Sequence, residues 1–461
     1  MDGTLIRGNP DVEIGAFSID TRTIKPGEWF IAFKGKNSDG HDYIQTAIEQ
    51  GAGGVVVTET DKLPIFPKDF PVIRVTDAQK ALYDYARYIR VSTPLFPWIG
   101  ITGSVGKTTT KGFLAEILKS DGFTPLVTPG NYNTEIGVPL SISMINSCDY
   151  DAFVLEFAMR ARGEIAYLAE MTRPQIGVIT NIAPVHLETL GSLDEIAEAK
   201  GELLDHLDEK GVAILNQDDP YFNFLKEKCS DKFRIFSVSG SSGDIRATNV
   251  RWNEEKQIVF DMHIRGEKFT DVKLKTPSMG MMESALAASA AALAVPIPVR
   301  SILDGVQRYD GEELRMSIFV KDSGVKVILD CYNANPKSMV DSIKVLSLYK
   351  QKNDDSDGKS QKGRTIAVLG GMLELGDESQ KWHEKVARYT LDCGIDFVVS
   401  VGEEGMFYHN ILSKDSRVQS FHFMTNAEVI VWLKKNTNPN DVVLIKGSRG
   451  FKLEEVGKAD W

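Results

Sequence analysis

The chain has 461 residues, of which 42% are hydrophobic and 25% charged, a composition typical of a soluble globular protein with about three domains. A formal net charge of −11 argues against broad nucleic-acid binding, which needs a basic surface, but leaves room for small anionic substrates. No apolar run approaches the ~18 residues of a membrane span. Scattered cysteines without a CxxC pair predict reduced thiols in the cytoplasm, or in a plastid stroma if a transit peptide has been removed; they are Cys148, Cys229, Cys331 and Cys393.

The first predicted domain, residues 1–92, is a small α/β unit. Buried strands are predicted at 29–33 and 54–57, with a helix at 43–52 between them. The segment 92–97 contains two prolines and predicts a linker to the next unit.

The second predicted domain, residues 93–310, alternates strands and helices, which favours a mostly parallel sheet covered on both faces. Its strands are predicted at 98–102, 152–157, 175–180 and 212–216. The stretch 233–275 predicts appended antiparallel strands with the sequences RIFSV, IVFDMHI and KFTDVKLK. An alanine-rich helix at 284–295 is predicted to pack tightly against a neighbour.

The third predicted domain, residues 311–461, carries apolar runs typical of buried parallel strands. These runs lie at 325–329, 365–370, 396–402 and 442–447, and helical segments separate them. The polar, low-complexity stretch 351–363 predicts a mobile surface loop.

The most informative motif is TGSVGKTTT at 102–110, between a predicted strand and a predicted helix. Gly103 and Gly106 free the turn from side-chain bulk, so backbone N–H groups and the helix start converge on one place. Lys107 is placed to reach terminal phosphates, and the Thr108 hydroxyl to hold magnesium. The general pattern has a further glycine five residues before Gly106, where this chain has isoleucine. A glycine-rich turn before a core helix therefore remains the alternative.

Other polar residues follow the predicted strands. Glu156 ends one strand, and the carboxyl ends of parallel strands line a ligand crevice, so its carboxylate is placed to hold magnesium beside Thr108. Asn181 and His186 follow the next strand, and this position favours a functional histidine over a structural one. Lys200 lies in a predicted helix. A solvated rim carboxylate and a solvated surface lysine are the alternatives for Glu156 and Lys200.

Two further segments carry ligand-binding side chains. The loop 130–139 is turn-rich and suits sugar or peptide recognition, although by composition alone it is only a loop. Its hydrogen-bonding residues are Asn131, Asn133, Thr134 and Glu135. In the third domain Asp330 follows a strand, where a carboxylate can bind ribose hydroxyls, and Arg315 is placed to meet phosphate oxygens bidentately.

Taken in order, the motifs resemble those of the Mur ligases, over nearly the whole chain from residue 18 to about residue 456. The series is TGSVGKTTT, GNYNTEIGVP, LEFAMRARGEI, TNIAPVHLETLGS, AKGELL, LRM, DCYNANPKSM, LGGMLELGDES and KGSRGFKLEEV. Many proteins share the phosphate loop, whereas DCYNANPKSM and LGGMLELGDES are much more discriminating.

The resemblance implies an α/β protein of three domains: a small N-terminal α/β domain, a central P-loop ATPase-type domain with a mostly parallel sheet, and a Rossmann-like C-terminal domain. It implies an ATP- and Mg²⁺-dependent peptide ligase of peptidoglycan precursor synthesis. Such an enzyme joins D-alanyl-D-alanine to UDP-N-acetylmuramoyl-tripeptide through an acyl phosphate. We expect a cytoplasmic monomer that binds neither nucleic acid nor membrane.

The resemblance also assigns site residues. The nucleotide set is Gly103, Ser104, Gly106, Lys107, Thr108, Thr109, Asp330, Asn333 and Asn335. The substrate set is Ser18, Asp20, Thr21, Arg22, Lys34, His41, Asn131, Asn133, Thr134 and Arg449. The catalytic set is Lys107, His186, Lys200 and Arg315. The metal set is Thr108, Glu156, His186 and Lys200, the last of these carbamylated.

One departure from the family pattern bears on activity. The Mur ligases usually have His-Asn-x-x-Asn before the alanine-rich helix, and here Met281 and Ser284 of GMMESALAA stand in place of the asparagines. This predicts altered nucleotide preference or lost ligase activity. Two alternatives therefore stay open. One is another ATP-dependent amide ligase, either a different Mur ligase or an enzyme like folylpolyglutamate synthase; the other is a catalytically weakened scaffold homologue.

Overall fold

The computed structural model describes residues 2–147, 149–229, 234–239, 243–350 and 363–461, arranged around three β-sheets. Cys148 and most of the predicted loop 351–363 lie outside these residues. The other three cysteines are free thiols. No helix in the described part of the chain is both long and apolar enough to cross a bilayer.

The first sheet has five strands in the order β1-β5-β4-β3-β2, all parallel except the β1–β5 pair. Its strands are β1 (Gly3–Arg7), β2 (Phe17–Ser18), β3 (Trp29–Ile31), β4 (Gly54–Val57) and β5 (Val72–Val75), and its helices are α1 (Ile44–Glu49) and α2 (Ala78–Ser92). Both predicted strands and the predicted helix are present. A Cβ atom at Gly54 would lie 2.7 Å from the ring of Trp29, so the absent side chain lets the indole pack flat on the sheet.

The central sheet has nine strands in the order β14-β13-β12-β11-β10-β9-β6-β8-β7. They are β6 (Trp98–Thr102), β7 (Pro125–Val127), β8 (Ala152–Glu156), β9 (Ile176–Ile179), β10 (Val212–Asn216), β11 (Arg234–Ser239), β12 (Ile245–Trp252), β13 (Ile258–Ile264) and β14 (Glu267–Lys273). The four strands predicted before residue 217 are present and parallel, as the alternation of elements indicates.

One strand prediction in this sheet is wrong. RIFSV lies in β11, which pairs in parallel with both β10 and β12, so it extends the parallel sheet. Its residues Phe236 and Val238, which share one face of the strand, are buried. The chain first reverses at the turn 253–257, where Lys256 has a φ of +63°. β13 and β14 are antiparallel, as predicted.

The helices of this region place the site. They are α3 (Lys107–Ser120), α4 (Gly137–Ser143), α5 (Glu164–Thr172), α6 (Leu187–Leu190), α7 (Leu193–Asp205), α8 (Phe222–Cys229), α9 (Met279–Ala294) and α10 (Val299–Arg308). The alanine-rich helix is α9, which is buried and packs on α3. A Cβ atom at Gly305 of α10 would lie 2.4 Å from Ile117 Cα. Small side chains therefore let α9 and α10 hold α3 rigidly.

The third sheet has six strands in the order β15-β16-β20-β17-β18-β19, all parallel except β15. The strands are β15 (Ser317–Val320), β16 (Lys326–Leu329), β17 (Thr365–Gly370), β18 (Phe397–Val401), β19 (Gln419–Phe423) and β20 (Val442–Lys446). The helices are α11 (Pro336–Ser347), α12 (Ser379–Asp392), α13 (Gly402–Leu412), α14 (Asn426–Asn436) and α15 (Glu454–Lys458). The four predicted strands are present, while the boundaries at residues 92/93 and 310/311 remain predictions.

Candidate active site

A cavity of about 1110 Å³ lies where strand ends of the second and third sheets face each other. Most of the predicted site residues line it: Ser104, Gly106, Lys107, Thr108, Thr109, Asn131, Asn133, Thr134, Glu156, His186, Arg315, Asp330, Asn333, Asn335 and Arg449. Gly103 lies at the end of β6 beside the wall, and Lys200 is buried on α7 behind it. The structure therefore gathers segments that are more than 300 residues apart in the chain.

The phosphate loop is the turn between β6 and α3. Gly103 has a φ of +141°, and a Cβ atom there would lie 1.9 Å from Thr180 Oγ1, so only glycine fits. Gly106 has a φ of +89° at the N-cap of α3. Asn181 supports the turn because its Oδ1 accepts a hydrogen bond from the N–H of Val105 at 3.0 Å.

The departure from the general phosphate-loop pattern has a local explanation. Ile101, which stands at the missing glycine, is a fully buried residue inside β6. The strand continues regularly through this position and pairs with β8 and β9. The backbone therefore needs glycine only at the two later positions, where φ is positive.

Two lysines, Lys107 and Lys200, lie at the phosphate loop and behind it. Lys107 Nζ donates to the carbonyl of Gly103 at 2.8 Å, and burial lowers its pKa, with Arg315 adding to this against the opposing effect of Glu156. Lys200 is 2% exposed, and burial, reinforced by Lys107, lowers its pKa well below the ordinary value. Within the described residues no group of three or more His, Cys, Asp or Glu side chains converges. This region is therefore suited to a polyanion such as a triphosphate.

Glu156 is a buried carboxylate in the same region. Its Oε1 accepts from Asn133 at 2.8 Å, and its Oε2 lies 3.2 Å from Lys111 Nζ. Among the described residues Oε2 is buried without a hydrogen-bond partner. Burial alone would raise the pKa of Glu156, but Lys111 and Lys107 hold it below its ordinary value. An ionised oxygen that lines the same cavity as Thr108 fits Mg²⁺, which takes one or two protein oxygens and completes its shell with water and phosphate.

His186 joins the central and C-terminal regions. It adopts a φ of +53° at the start of α6, and its Nδ1 lies 2.5 Å from Glu374 Oε2. Burial lowers the pKa of His186, against the opposing effect of Glu374 and with Lys200 adding to the shift. The backbone N–H of Glu188 also donates to the carbonyl of Glu374 at 3.2 Å. Glu374 belongs to the LGGMLELGDES motif, but its pairing was not predicted.

Arg315 makes the second link across the cavity. Its guanidinium donates to Thr108 Oγ1 at 2.9 Å and stacks on the ring of Tyr332 at 4.1 Å. This contact brings the Arg315 guanidinium onto the phosphate loop, while its role toward ATP stays a prediction.

Asp330, Asn333 and Asn335 line the cavity, and the side chain of each already makes a hydrogen bond within the protein. Asp330 Oδ2 accepts from Lys446 and from Ser342, each at 2.6 Å. Asn335 is the N-cap of α11, where its side chain accepts from the N–H of Ser338. Asn333 Oδ1 accepts from the N–H of Ala334 at 2.8 Å. Lys446 is 1% exposed. It is not among the predicted site residues, because only its ion pair with Asp330 indicates a place in the site.

The predicted N-terminal substrate residues lie outside this cavity. Asp20 and Arg22 form an exposed ion pair at 2.6 Å, and Lys34 pairs with Glu59 at 2.8 Å. Ser18 Oγ donates to the carbonyl of Asp20, and Thr21 follows in the same turn. His41 differs from these residues, because it is 2% exposed and both ring nitrogens are engaged within its own domain. His41 is therefore not available to contact a substrate directly in this structure.

The two positions that depart from the family pattern lie on the cavity wall. Met281 and Ser284 are buried on α9, and Ser284 Oγ donates to the carbonyl of Gly280 at 2.9 Å. Beside them Glu283 pairs with Lys337 at 2.8 Å. At these two positions the wall presents the thioether of Met281 and the hydroxyl of Ser284, whose proton is already donated to the Gly280 carbonyl.

Comparison with known proteins identifies the family. Models described as "Mur ligase family, catalytic domain", "Mur ligase middle domain" and "Mur ligase, glutamate ligase domain" match residues 13–91, 101–292 and 314–449. The UDP-N-acetylmuramoyl-tripeptide–D-alanyl-D-alanine ligase of Escherichia coli is 32% identical over 97% of this chain and 94% of that protein.

Solved structures agree over the same length. A MurF structure from Acinetobacter baumannii is 28% identical, with a TM-score of 0.84 over 97% of this chain and 93% of that one. The MurF ligase from Thermotoga maritima in complex with ADP is 27% identical, with a TM-score of 0.79 over 96% of each chain. These matches confirm the predicted three-domain α/β fold and the resemblance drawn from the motifs. The chain belongs to the Mur ligase family.

Proposed function

We propose that this protein is an ATP-dependent ligase that joins D-alanyl-D-alanine to UDP-N-acetylmuramoyl-tripeptide. The observation that carries the proposal is the contact of Arg315 with Thr108, which closes a cation-rich phosphate loop from the opposite side of the cavity. The reaction named for the Escherichia coli relative, which matches along its length, supplies the substrates.

The proposed reaction has two steps. An oxygen of the tripeptide carboxylate attacks the γ-phosphorus of ATP, the bond to the β–γ bridging oxygen breaks, and ADP leaves. The amine of D-alanyl-D-alanine then attacks the acyl carbon, the carbon–oxygen bond to phosphate breaks, and the nitrogen loses a proton. Lys107 and Arg315 neutralise the charge that develops on the transferred group, so catalysis consists mainly of positioning and electrostatic stabilisation.

The residues present fit magnesium. Thr108 and the orphaned Oε2 of Glu156 would hold one ion, with phosphate oxygens and water as its other ligands. Bound there, Mg²⁺ would supply Lewis-acid neutralisation of phosphate charge. His186 and a carbamylated Lys200 would hold a second ion. Burial favours the neutral amine of Lys200, and this is the form that adds to carbon dioxide.

Several contacts cross the cavity, among them the His186–Glu374 pair, the Lys337–Glu283 pair and the Arg315–Thr108 hydrogen bond. Exclusion of water strengthens electrostatic interactions and protects an acyl phosphate from hydrolysis. These contacts support a closed state in which both steps take place. A cytoplasmic or plastid location and a monomeric state remain predictions.

The test is phosphate release with UDP-N-acetylmuramoyl-tripeptide, ATP, magnesium and D-alanyl-D-alanine, omitting one component at a time. Release that requires the dipeptide is the expected result. Release with a different amine acceptor, such as glutamate, would instead support another amide ligase of this fold. If no acceptor gives release while ADP still binds, the protein is a weakened homologue, and the substitutions at Met281 and Ser284 become its explanation.

A further inference from the structure

Lys111 is a buried cation for which the reaction above has no use. It lies one helical turn after Lys107 on α3 and is 4% exposed. Its ammonium donates to the carbonyls of Thr128 at 2.8 Å and Gly130 at 3.5 Å, and lies 3.2 Å from Glu156 Oε2. A lysine ammonium carries three donors; two of them reach these carbonyls, and Glu156 faces the ammonium as an ion pair. Lys111 is not part of the cavity lining and so acts through other groups.

Those acceptors belong to two pieces of the site. Thr128 and Gly130 open the loop 128–135, and most of its residues from Gly130 onward line the cavity. The loop is also tied to the end of β8, because Thr128 Oγ1 accepts from the N–H of Glu156 at 3.1 Å. Asn133 adds two bonds, donating to Glu156 Oε1 and accepting at its carbonyl from the N–H of Ala158, both at 2.8 Å. Lys111 alone among these groups joins the loop to the phosphate-binding helix.

We propose that Lys111 is a positioning residue that fixes the loop 128–135 and Glu156 against α3, so that the nucleotide and the peptide substrate meet in register. The proposal rests on the proposed function. Burying an ammonium is unfavourable unless it is paired and hydrogen-bonded. A methionine of similar length would fill the same space. The charge of Lys111 is therefore explained by the carbonyls and the carboxylate that it contacts.

The test uses Lys111→Met, with the dissociation constants of UDP-N-acetylmuramoyl-tripeptide and ADP measured separately by calorimetry. The peptide substrate should bind about tenfold more weakly, because its loop is released, while ADP binding measured without magnesium changes less than about twofold. Amide hydrogen exchange in residues 128–135 should become faster. The matched control is Lys119→Met, on the same helix but exposed and paired with Glu116, which should change none of these quantities.

Unchanged peptide binding and exchange in Lys111→Met would overturn the proposal, and so would parallel losses for peptide and ADP. If this variant fails to fold because Glu156 is left unpaired, Lys111→Met combined with Glu156→Gln removes both charges and is compared with Glu156→Gln alone. The same two binding constants then decide. The proposed function fails separately, if the unaltered protein does not bind the tripeptide or release phosphate with D-alanyl-D-alanine.

Discussion

The cavity and the exposed surface of the N-terminal region satisfy their charges in opposite ways. In the cavity, Lys107 is largely removed from water, and burial lowers the pKa of its amine. On the N-terminal surface, Arg22 pairs with Asp20 in the open and lowers the pKa of that carboxyl to about 2. Lys34 and Glu59 form a second exposed pair.

This difference separates two kinds of contribution. A buried ammonium without enough counter-charge is stabilised only when an anion binds beside it. Such a group therefore acts on the bound phosphate and on the reaction rate. Exposed pairs that already satisfy each other gain little from a ligand, because solvent screens them and the ligand only exchanges partners. We therefore expect cavity substitutions to lower kcat and N-terminal substitutions to raise KM.

The largest effect should come from Lys107→Ala. Loss of the ammonium that faces the phosphates should reduce turnover about 1,000-fold or more, by analogy with the loss of other transition-state donors. Steady-state phosphate release checks this, and an unchanged circular dichroism spectrum shows that the protein is folded. Lys119→Ala on the same helix is the control. Turnover near that of the unaltered protein would mean that the loop does not bind ATP.

Arg315→Ala should have the next largest effect. It removes both the hydrogen bond to Thr108 and the stack on Tyr332, and kcat should fall about 100-fold. Arg315→Lys should recover only part of this, because an ammonium lacks the planar fork. Arg308→Ala, an exposed arginine on α10, serves as the control. Equal activity for Arg315→Lys and the unaltered protein would contradict a geometric role.

Glu374→Gln should have a smaller effect on the closed state. It weakens the contact with His186 while keeping the shape of the side chain, and kcat should fall about fivefold to tenfold. Glu378→Gln is a matched control in the same segment, since Glu378 pairs only locally with Lys381 in an exposed position. If both variants behave alike in phosphate release, the His186 contact has no part in closure.

The smallest effect should come from Arg22→Ala on the exposed surface. KM for the UDP-linked substrate should rise about threefold to fivefold at unchanged kcat, since only ground-state binding is lost. Arg417→Ala is the control, because Arg417 and Asp415 form the same kind of pair in the C-terminal domain. A fall in kcat would contradict the expectation that N-terminal substitutions change only KM.

Much of the fold could be predicted because buried parallel strands are continuous apolar runs. Several of the strands that were missed lack such a run. The edge strand β15 is largely exposed, and β2 has only two residues. The direction of β11 could not be predicted, because a short apolar run does not report whether its neighbour is parallel.

The site could be predicted where its residues share a motif or follow a strand. Lys107, Glu156, His186 and Arg315 were found in this way, and all of them line one cavity. Lys111, Glu374 and Lys446 were missed because each is defined by a partner that lies far away in the sequence. The roles assigned to these residues are predictions, several of which the variants above test.

The central claim is that the terminal phosphates of ATP bind at the turn between β6 and α3. A crystal structure with a non-hydrolysable ATP analogue and magnesium tests it most directly. We predict that the phosphate oxygens accept hydrogen bonds from the backbone N–H groups of residues 104–108. The Lys107 ammonium should turn from the Gly103 carbonyl toward the phosphates. A nucleotide bound elsewhere, with this turn empty, would contradict the account.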